Sequence, residues 1–279
     1  MRLAPVPLGT TPALDDAAAA PPSDGANKKD LRAELVDLGE RMARRQAALY
    51  AESRRALLVV LQARDTGGKD GAIRHVFGPL NPMGVEVTSF KAPTPLELSH
   101  DYLWRVHQRV PPRGMIGVFN RSHYEDVLVV RVQGLVPEEV WRARYDQINA
   151  FERHLADNGV TILKFCLHIS RDEQRRRLMD RLRDPDKNWK FNPGDLKARE
   201  RWDGYTAAYG DAIRLTSTVW APWYVVPADR KALRDVLVAE VVVETLERMD
   251  PRYPTALEPV KEFLKLLERE ATGDAGRRG

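Results

Sequence analysis

One cysteine in 279 residues excludes an internal disulfide. Cys166 lies in the apolar run Ile162-Leu163-Lys164-Phe165-Cys166-Leu167 with no activating neighbour in sequence, so burial is expected of it rather than nucleophilic work. A reducing, cytoplasmic setting is the expectation that follows. No segment reaches the roughly 18 uninterrupted apolar residues of a membrane span. The start, Met1-Arg2-Leu3-Ala4-Pro5-Val6-Pro7, is too broken by proline for the apolar core of a secretory signal. Lys and Arg number 44 against 40 Asp and Glu, a net charge of +4, too small an excess to draw nucleic acid or membrane by itself. Any anion site must come from local clustering. There is no internal repeat, and the six histidines include no H-x-x-x-H pair with metal-ligand spacing.

What is present is an alternation of strand-like and helix-like segments. Apolar strands are expected at 57–62, 85–90, 115–119, 160–169 and 223–226. Helical spacing is expected over 31–51, 96–109, 137–157, 171–183, 197–215 and 229–249, with Pro137 well placed near a helix start. That order predicts an α/β fold, a mostly parallel sheet covered by helices on both faces. In such a sheet the ligand lies beyond the carboxyl ends of the strands. Residues 1–28, rich in Pro and Ala without periodicity, read as a poorly ordered arm, and 271–279 read the same way.

The strand Leu57-Leu58-Val59-Val60-Leu61-Gln62 runs into Ala63-Arg64-Asp65-Thr66-Gly67-Gly68-Lys69-Asp70-Gly71 and then into a helix-compatible stretch. That is the order of a phosphate-binding loop. Gly67, Gly68 and Gly71 let backbone N–H groups face an anion, the helix N-terminus adds its positive end, and Lys69 neutralises phosphate charge. Against the pattern G-x-x-x-x-G-K-[ST], Ala63 stands at the first glycine and Asp70 replaces the hydroxyl that usually holds magnesium. Asp65 therefore becomes the candidate metal ligand or base. The alternative is a glycine-rich strand-to-helix turn with no ligand.

Two further segments are site-like. Val118-Phe119-Asn120-Arg121-Ser122-His123-Tyr124-Glu125-Asp126 follows a strand directly; Arg121 suits a bidentate phosphoryl contact, and Asp126, with Glu125 beside it, is the nearest downstream carboxylate for a metal. Asn120 is an uncharged amide where a charged ligand would serve better. A solvated ion-pair surface is the alternative. From Arg171 to Lys190 basic side chains dominate, with Arg177 and Arg181 four apart on one helical face. Asp184-Pro185 stops that helix before Lys187, Trp189 and Lys190. A mobile basic flap over a phosphate site has this composition, and so has an ordinary solvated helix.

Together these segments resemble the polyphosphate kinase 2 family. Its pattern G-x-D-x-x-G-K-x-G is met by Asp65, Gly68, Lys69 and Gly71, with Ala63 departing at the first position. The stretches Phe119 to Asp126, Asp184-Pro185 with Lys187, Trp189 and Lys190, and Ala221-Pro222-Trp223 also match, so the likeness covers about residues 30–250. Asn120 stands where many members carry an aspartate, and the wording around it is most similar to the subgroup that uses both nucleoside mono- and diphosphates. The resemblance implies a P-loop kinase-like fold with a helical lid at about 171–205, inside a domain spanning 29–250 and followed by a C-terminal extension, 251–279. It implies reversible phosphoryl transfer from inorganic polyphosphate to AMP and ADP, with guanine nucleotides as further acceptors, with Mg²⁺ or Mn²⁺, in a homodimer or homotetramer. Asp65, Lys69 and Arg121 would be catalytic, and Asp65 and Asp126 would hold the metal. Arg64, Thr66, Gly67, Gly68, Lys69, Asp70, Gly71, Asn120, Arg121, Arg177, Arg181, Lys187 and Lys190 would bind nucleotide or polyphosphate. Two other readings stay open: an ATP-dependent nucleotide kinase using the same loop and lid, and a nucleic-acid binder using the Arg-rich helix with Trp189 as a stacking platform.

Overall fold

A computed structural model describes residues 2–20, 27–256 and 259–275. With helices of eight residues or more numbered, the order is α1 Lys28–Glu52, β1 Ala56–Ala63, β2 Val85–Ser89, β3 Ile116–Asn120, α2 Glu125–Gln133, α3 Glu138–Asp157, β4 Val160–His168, α4 Arg171–Arg183, α5 Pro193–Glu200, α6 Trp202–Thr216, β5 Trp223–Pro227, α7 Lys231–Met249 and α8 Val260–Ala275. The five strands form one parallel sheet in the order β2-β3-β1-β4-β5. Fully buried β1 is central, as the unbroken run of aliphatic residues requires of a strand covered on both faces. Alternation then divides it. Leu57, Val59 and Leu61 face a core built with α1 and α7, while Ala56, Leu58 and Val60 face one built with α2, α3 and α6. Among the described residues no helix is long and apolar enough to cross a membrane.

Local chemistry sets the helix boundaries. Asn27 starts α1 by accepting from the N–H groups of Lys29 and Asp30, and Ser170 starts α4 by accepting from Glu173 N at 3.2 Å. The helix expected over 96–109 is instead two single turns, Pro95–Leu98 and Trp104–His107. Thr94 and Glu97 close a capping box around the first, and Asp101 Oδ1 accepts from Leu103 N and Trp104 N, which restarts the chain. Short polar side chains bonding their own backbone win over helical spacing here. The helix expected over 197–215 is likewise two, α5 and α6, with the break at Arg201 (φ −96°, ψ 31°).

The arm expected to be poorly ordered is different in the structure, as far as residue 20. Val6 N donates to Trp223 O, Gly9 N to Arg214 O, and Asp16 Oδ1 accepts from Arg171 N at the head of α4. Leu3 packs on one core and Val6 and Leu14 on the other, so tertiary burial holds a segment whose own composition specifies nothing. Residues 21–26 lie outside the described residues. The expected tail is helical up to Ala275, the end of α8, and 276–279 are outside the description.

One buried polar network lies within the second core. Lys164 Nζ donates to Glu152 Oε2 (2.5 Å), Tyr124 Oη (2.8 Å) and Thr216 O (2.7 Å), and the His123 ring meets Glu152 Oε1 at 3.1 Å. Burial pulls the Lys164 ammonium down to about 8, against the pull of Glu152. Burial also opposes ionisation of Glu152, but Lys164 and His123 outweigh it and hold the carboxyl below its ordinary value. Losing one partner strands the other in apolar surroundings, at a cost of about 3–5 kcal/mol. Lys164→Met is therefore expected to lower the unfolding free energy by about that much in urea titrations, and Lys164→Met with Glu152→Leu to recover part of the loss.

Candidate active site

From β1 the chain crosses to β2 and β3 on one side, then to β4 and β5 on the other, which puts the topological switch at the carboxyl end of β1. There the chain reverses through residues 64–68 into the single turn Lys69–Ala72 and a π-turn, Ile73–Phe77. Gly68 caps that turn at φ 97°, and a Cβ there would collide with the Arg234 guanidinium, so only glycine fits. Thr66 adopts φ 61°, with its hydroxyl buried and unpartnered. Lys69 folds back so that Nζ donates to Ala63 O at 2.9 Å; burial, then the facing Arg121, lowers its pKa. An ammonium bonded to one carbonyl, with Asp65, Glu125 and Asp70 drawing on its charge, is ready to transfer to an anion.

The carboxyl end of β3 supplies the opposite wall. Asn120 Nδ2 donates to Asp70 Oδ1 at 2.9 Å. Arg121, at φ 63°, donates from Nη2 to Asp65 Oδ1 at 3.1 Å. Glu125, in the first turn of α2, completes the group. Gln62, in the orientation that satisfies both amide atoms, donates to Glu125 Oε1 at 2.9 Å and accepts from the Ser122 hydroxyl. Burial raises the Glu125 carboxyl against the opposing pull of Arg121 and Lys69. Burial acts in the same direction on Asp195 of α5, reinforced by the nearby Asp65. Left-handed backbone at two non-glycine residues, Thr66 and Arg121, is strain of the kind active sites store.

Asp65, Lys69, Asp70, Asn120 and Arg121 thus come together with the glycine turn of Gly67, Gly68 and Gly71. Asp126 does not join them. Adjacent helix positions point about 100° apart, and Asp126 turns away from Glu125 to pair with Arg144 at 3.2 Å. Arg64 also points away: its guanidinium lies 3.8 Å over the Trp202 ring and donates to Trp202 O and Thr206 Oγ1. Arg177 is buried, and its donors go to Glu173, Thr66 O, Ala228 O and Asp229 O, which makes it a brace under the loop rather than a channel wall. Arg181 pairs with Asp195 at 3.2 Å, and exposed Lys187 with Asp184. Lys190 is the flap cation that reaches the loop, 4.0 Å from Asp70 Oδ2.

Sequence reasoning passed over several participants. Glu125 stood beside Asp126 without priority, because the α2 helix that separates their directions carries weak amphipathic patterning. Gln174, which donates to Asp65 O at 3.1 Å, looked like one more polar residue on a solvated helix. Arg234 donates to Asp235 Oδ1, and Asp235 Oδ2 meets the His75 ring at 2.8 Å, forming a chain that runs from the buried Arg234 beneath Gly68 out to the exposed His75. A signal existed there: Arg234-Asp235 is a charged pair inside the otherwise apolar inner face of α7.

Comparison with known proteins places this geometry in context. A family model described as Polyphosphate kinase 2 matches residues 25–254. The AMP/ADP-polyphosphate phosphotransferase of Meiothermus ruber is 57% identical over 231 residues, 83% of this chain and 86% of that protein. The ADP-polyphosphate phosphotransferase of Rhodopseudomonas palustris is 45% identical over 243 residues, covering 82% of this chain and 84% of it. The crystal structure of polyphosphate kinase 2 from Arthrobacter aurescens superposes with a TM-score of 0.84 at 44% identity, over 87% of this chain and 88% of that one.

The two arginines beside the loop separate by experiment. Arg64→Ala removes a stacked, doubly bonded side chain and is expected to lower the unfolding free energy by about 2 kcal/mol, with inorganic triphosphate binding, read by calorimetry, changed by less than about twofold. Arg121→Ala is expected to weaken triphosphate roughly tenfold or more at little cost to stability.

Proposed function

Because the chain belongs to the polyphosphate kinase 2 family, we propose that it transfers the terminal phosphoryl group of inorganic polyphosphate to AMP and ADP, reversibly. The observation that carries this reading is the Asp65–Arg121 pair, 3.1 Å apart across the carboxyl ends of β1 and β3, beside the glycine turn that presents Lys69. Guanine nucleotides belong to the same acceptor class.

The chemistry asks for positioning and charge neutralisation. A phosphoryl group in flight carries its negative charge on three equatorial oxygens. Backbone N–H groups from Gly68 to Gly71 cradle the donor phosphates, since Gly67 N already donates to Arg64 O, and Lys69 leaves Ala63 O to meet their charge. Arg121 spans the transferred group and the acceptor. The nucleophile is an acceptor phosphate oxygen whose second ionisation lies near pH 6, so it is already anionic at neutral pH and no strong base is needed. Asp65 then has the task of orientation. Its backbone carbonyl is fixed by Gln174, and its carboxylate by Arg121.

Family members generally need a divalent metal, and the donor set here suits Mg²⁺ or Mn²⁺, which take carboxylate and phosphate oxygens. Among the described residues no three His, Cys, Asp or Glu side chains converge as a ready cage. That fits an ion held by one or two carboxylates plus substrate oxygens. Asp65 and Glu125 are those carboxylates in our reading, in place of Asp65 and Asp126, since Asp126 is engaged by Arg144. When bound, such an ion would supply positive charge that offsets the charge of the phosphate oxygens.

Residues 29–250 form the catalytic unit in this reading, with 171–205 as its lid. A homo-oligomer and a cytoplasmic setting complete it. The exposed stripe Val260, Phe263, Leu264 and Leu267 on α8 supports the first, and the buried free thiol of Cys166 the second. An ATP-dependent kinase with a small acceptor is the competing reading of the same loop.

Incubation with AMP, polyphosphate and Mg²⁺ is expected to yield ADP and then ATP, followed by chromatography; product only when ATP replaces polyphosphate would favour the competitor. Lys69→Ala and Asp65→Asn are each expected to lower kcat/KM by about 100-fold or more, the scale of losing one electrostatic contact to the transition state. Glu125→Gln is expected to raise the Mg²⁺ concentration needed for half-maximal rate, and an unchanged requirement would remove Glu125 from the metal site.

A further inference from the structure

Arg234 and Asp235 stand on α7 between Leu233 and Val236, and all four are buried. The contacts of the charged pair converge on the glycine turn. A Cβ on Gly68 would collide with Arg234 Nη1, and one on Gly71 would come within 3.3 Å of Nη2, so the planar guanidinium packs against the backbone at both ends of Gly68-Lys69-Asp70-Gly71. Arg234 is aimed there by its neighbour: Nε and Nη2 donate to Asp235 Oδ1 at 2.8 and 2.5 Å. Asp235 Oδ2 meets His75 Nδ1 at 2.8 Å, and His75 belongs to the π-turn that continues directly from that stretch. α7 therefore grips one segment twice, at residues 68–71 through Arg234 and at His75 through Asp235.

Stability does not account for a charged pair in this place. Replacing a buried ion pair with apolar side chains of similar volume is often neutral or stabilising, because the attraction within the pair is offset by its lost hydration. What a rigid fork of N–H groups on a carboxylate provides is orientation. The turn has little of that from its own bonds. The first N–H groups of a helix have no partner within it, and Gly68, at φ 97°, brings the conformational freedom of glycine to the point where they begin. Arg177 also borders Gly68; burial lowers its pKa and the charge of Arg234 adds to the fall, against the pull of Glu173. The turn thus rests on positive charge before any phosphate arrives.

We propose that Arg234, aimed by Asp235 and His75, is a positioning residue for phosphoryl transfer, which holds the N–H groups of Gly68 to Gly71 in their anion-facing arrangement before the donor binds. It acts through the turn and does not touch the reacting atoms. Such preorganisation strengthens binding because the free protein has already given up the freedom that binding would otherwise remove. For its effect on catalysis the inference rests on the phosphotransferase reading above; its effect on the turn and on phosphate binding is measured without it.

The test uses full-length variants, hydrogen–deuterium exchange of the peptide spanning residues 64–75, and calorimetric binding of inorganic triphosphate. Arg234→Met with Asp235→Leu removes both charges and keeps apolar bulk, so thermal unfolding is expected to stay within a few degrees of the wild type. Exchange in the turn is expected to quicken in the free variant and to return to the wild-type rate at saturating triphosphate, with triphosphate bound about tenfold more weakly. The KM for polyphosphate is expected to rise in proportion and that for AMP by less than about twofold, a split that general loosening of the site would not give. His75→Phe keeps a ring at the half-exposed end of the chain and removes the N–H to Asp235, so it leaves the core intact. Faster turn exchange is expected there too, with recovery in His75→Asn, whose amide N–H replaces that of Nδ1; should the double variant not fold, these two decide alone. Unchanged turn exchange in the double variant or in His75→Phe, unchanged triphosphate affinity in the double variant, or an equal rise in both its KM values would each overturn the proposal. A wild-type protein that binds triphosphate but forms no ADP from AMP and polyphosphate would instead overturn the phosphotransferase reading, and leave exchange and binding to decide the role of Arg234.

Discussion

The carbonyls of Asp65 and Thr66 leave β1 with no strand or helix to receive them, and the site depends on how they are satisfied. Gln174 donates to one and Arg177 to the other, both from α4. Buried carbonyls without donors cost free energy, so the loop keeps its reversed shape only while α4 is docked. Arg177 also holds Ala228 O and Asp229 O, the start of the chain that leads into α7. The loop, the root of the basic flap and α7 therefore behave as one piece. Any movement of the flap either breaks these bonds or pivots beyond Asp184, where α4 ends before Pro185.

The opposite wall is held from behind. His123 and Tyr124 lie between Arg121 and Glu125 in sequence and are anchored in the second core by Glu152, Lys164 and Thr216. Fixing those two side chains fixes the backbone on either side of them. Arg121 is thereby kept at φ 63° and Glu125 is kept facing Gln62, although neither arrangement is the relaxed one for its residue type. Lys69 and Glu125 show the electrical consequence: burial lowers the one and raises the other, so both are poised to gain from a bound phosphate and cation.

The strap formed by residues 2–20 joins the two halves of this arrangement. Asp16 accepts from Arg171 N at the head of α4, the His168 ring meets Asp15 O at 2.7 Å, and Asp229 N donates to Ala19 O. It lies against the carboxyl end of β4, the head of α4 and the chain that leaves β5. Nothing in its Pro- and Ala-rich composition specifies this path; only the surfaces it lies against do.

Sequence alone determined the strands, their mostly parallel arrangement, the glycine turn and the presence of Asp65, Lys69 and Arg121 near it. The reason is that aliphatic strands, glycine-dependent turns and strand-end polar residues are specified by neighbours within a few positions. Tertiary structure decided which polar side chains face the site. Glu125 and Asp126 are chemically alike and adjacent, yet a helix sends one toward Lys69 and the other to Arg144. Arg177 and Arg64 carry the charge a phosphate would attract, yet carbonyls and the Trp202 ring claim them first. Those competing partners stand far away in sequence and meet only in the folded chain, so no local pattern could rank a charged residue as brace, wall or ligand.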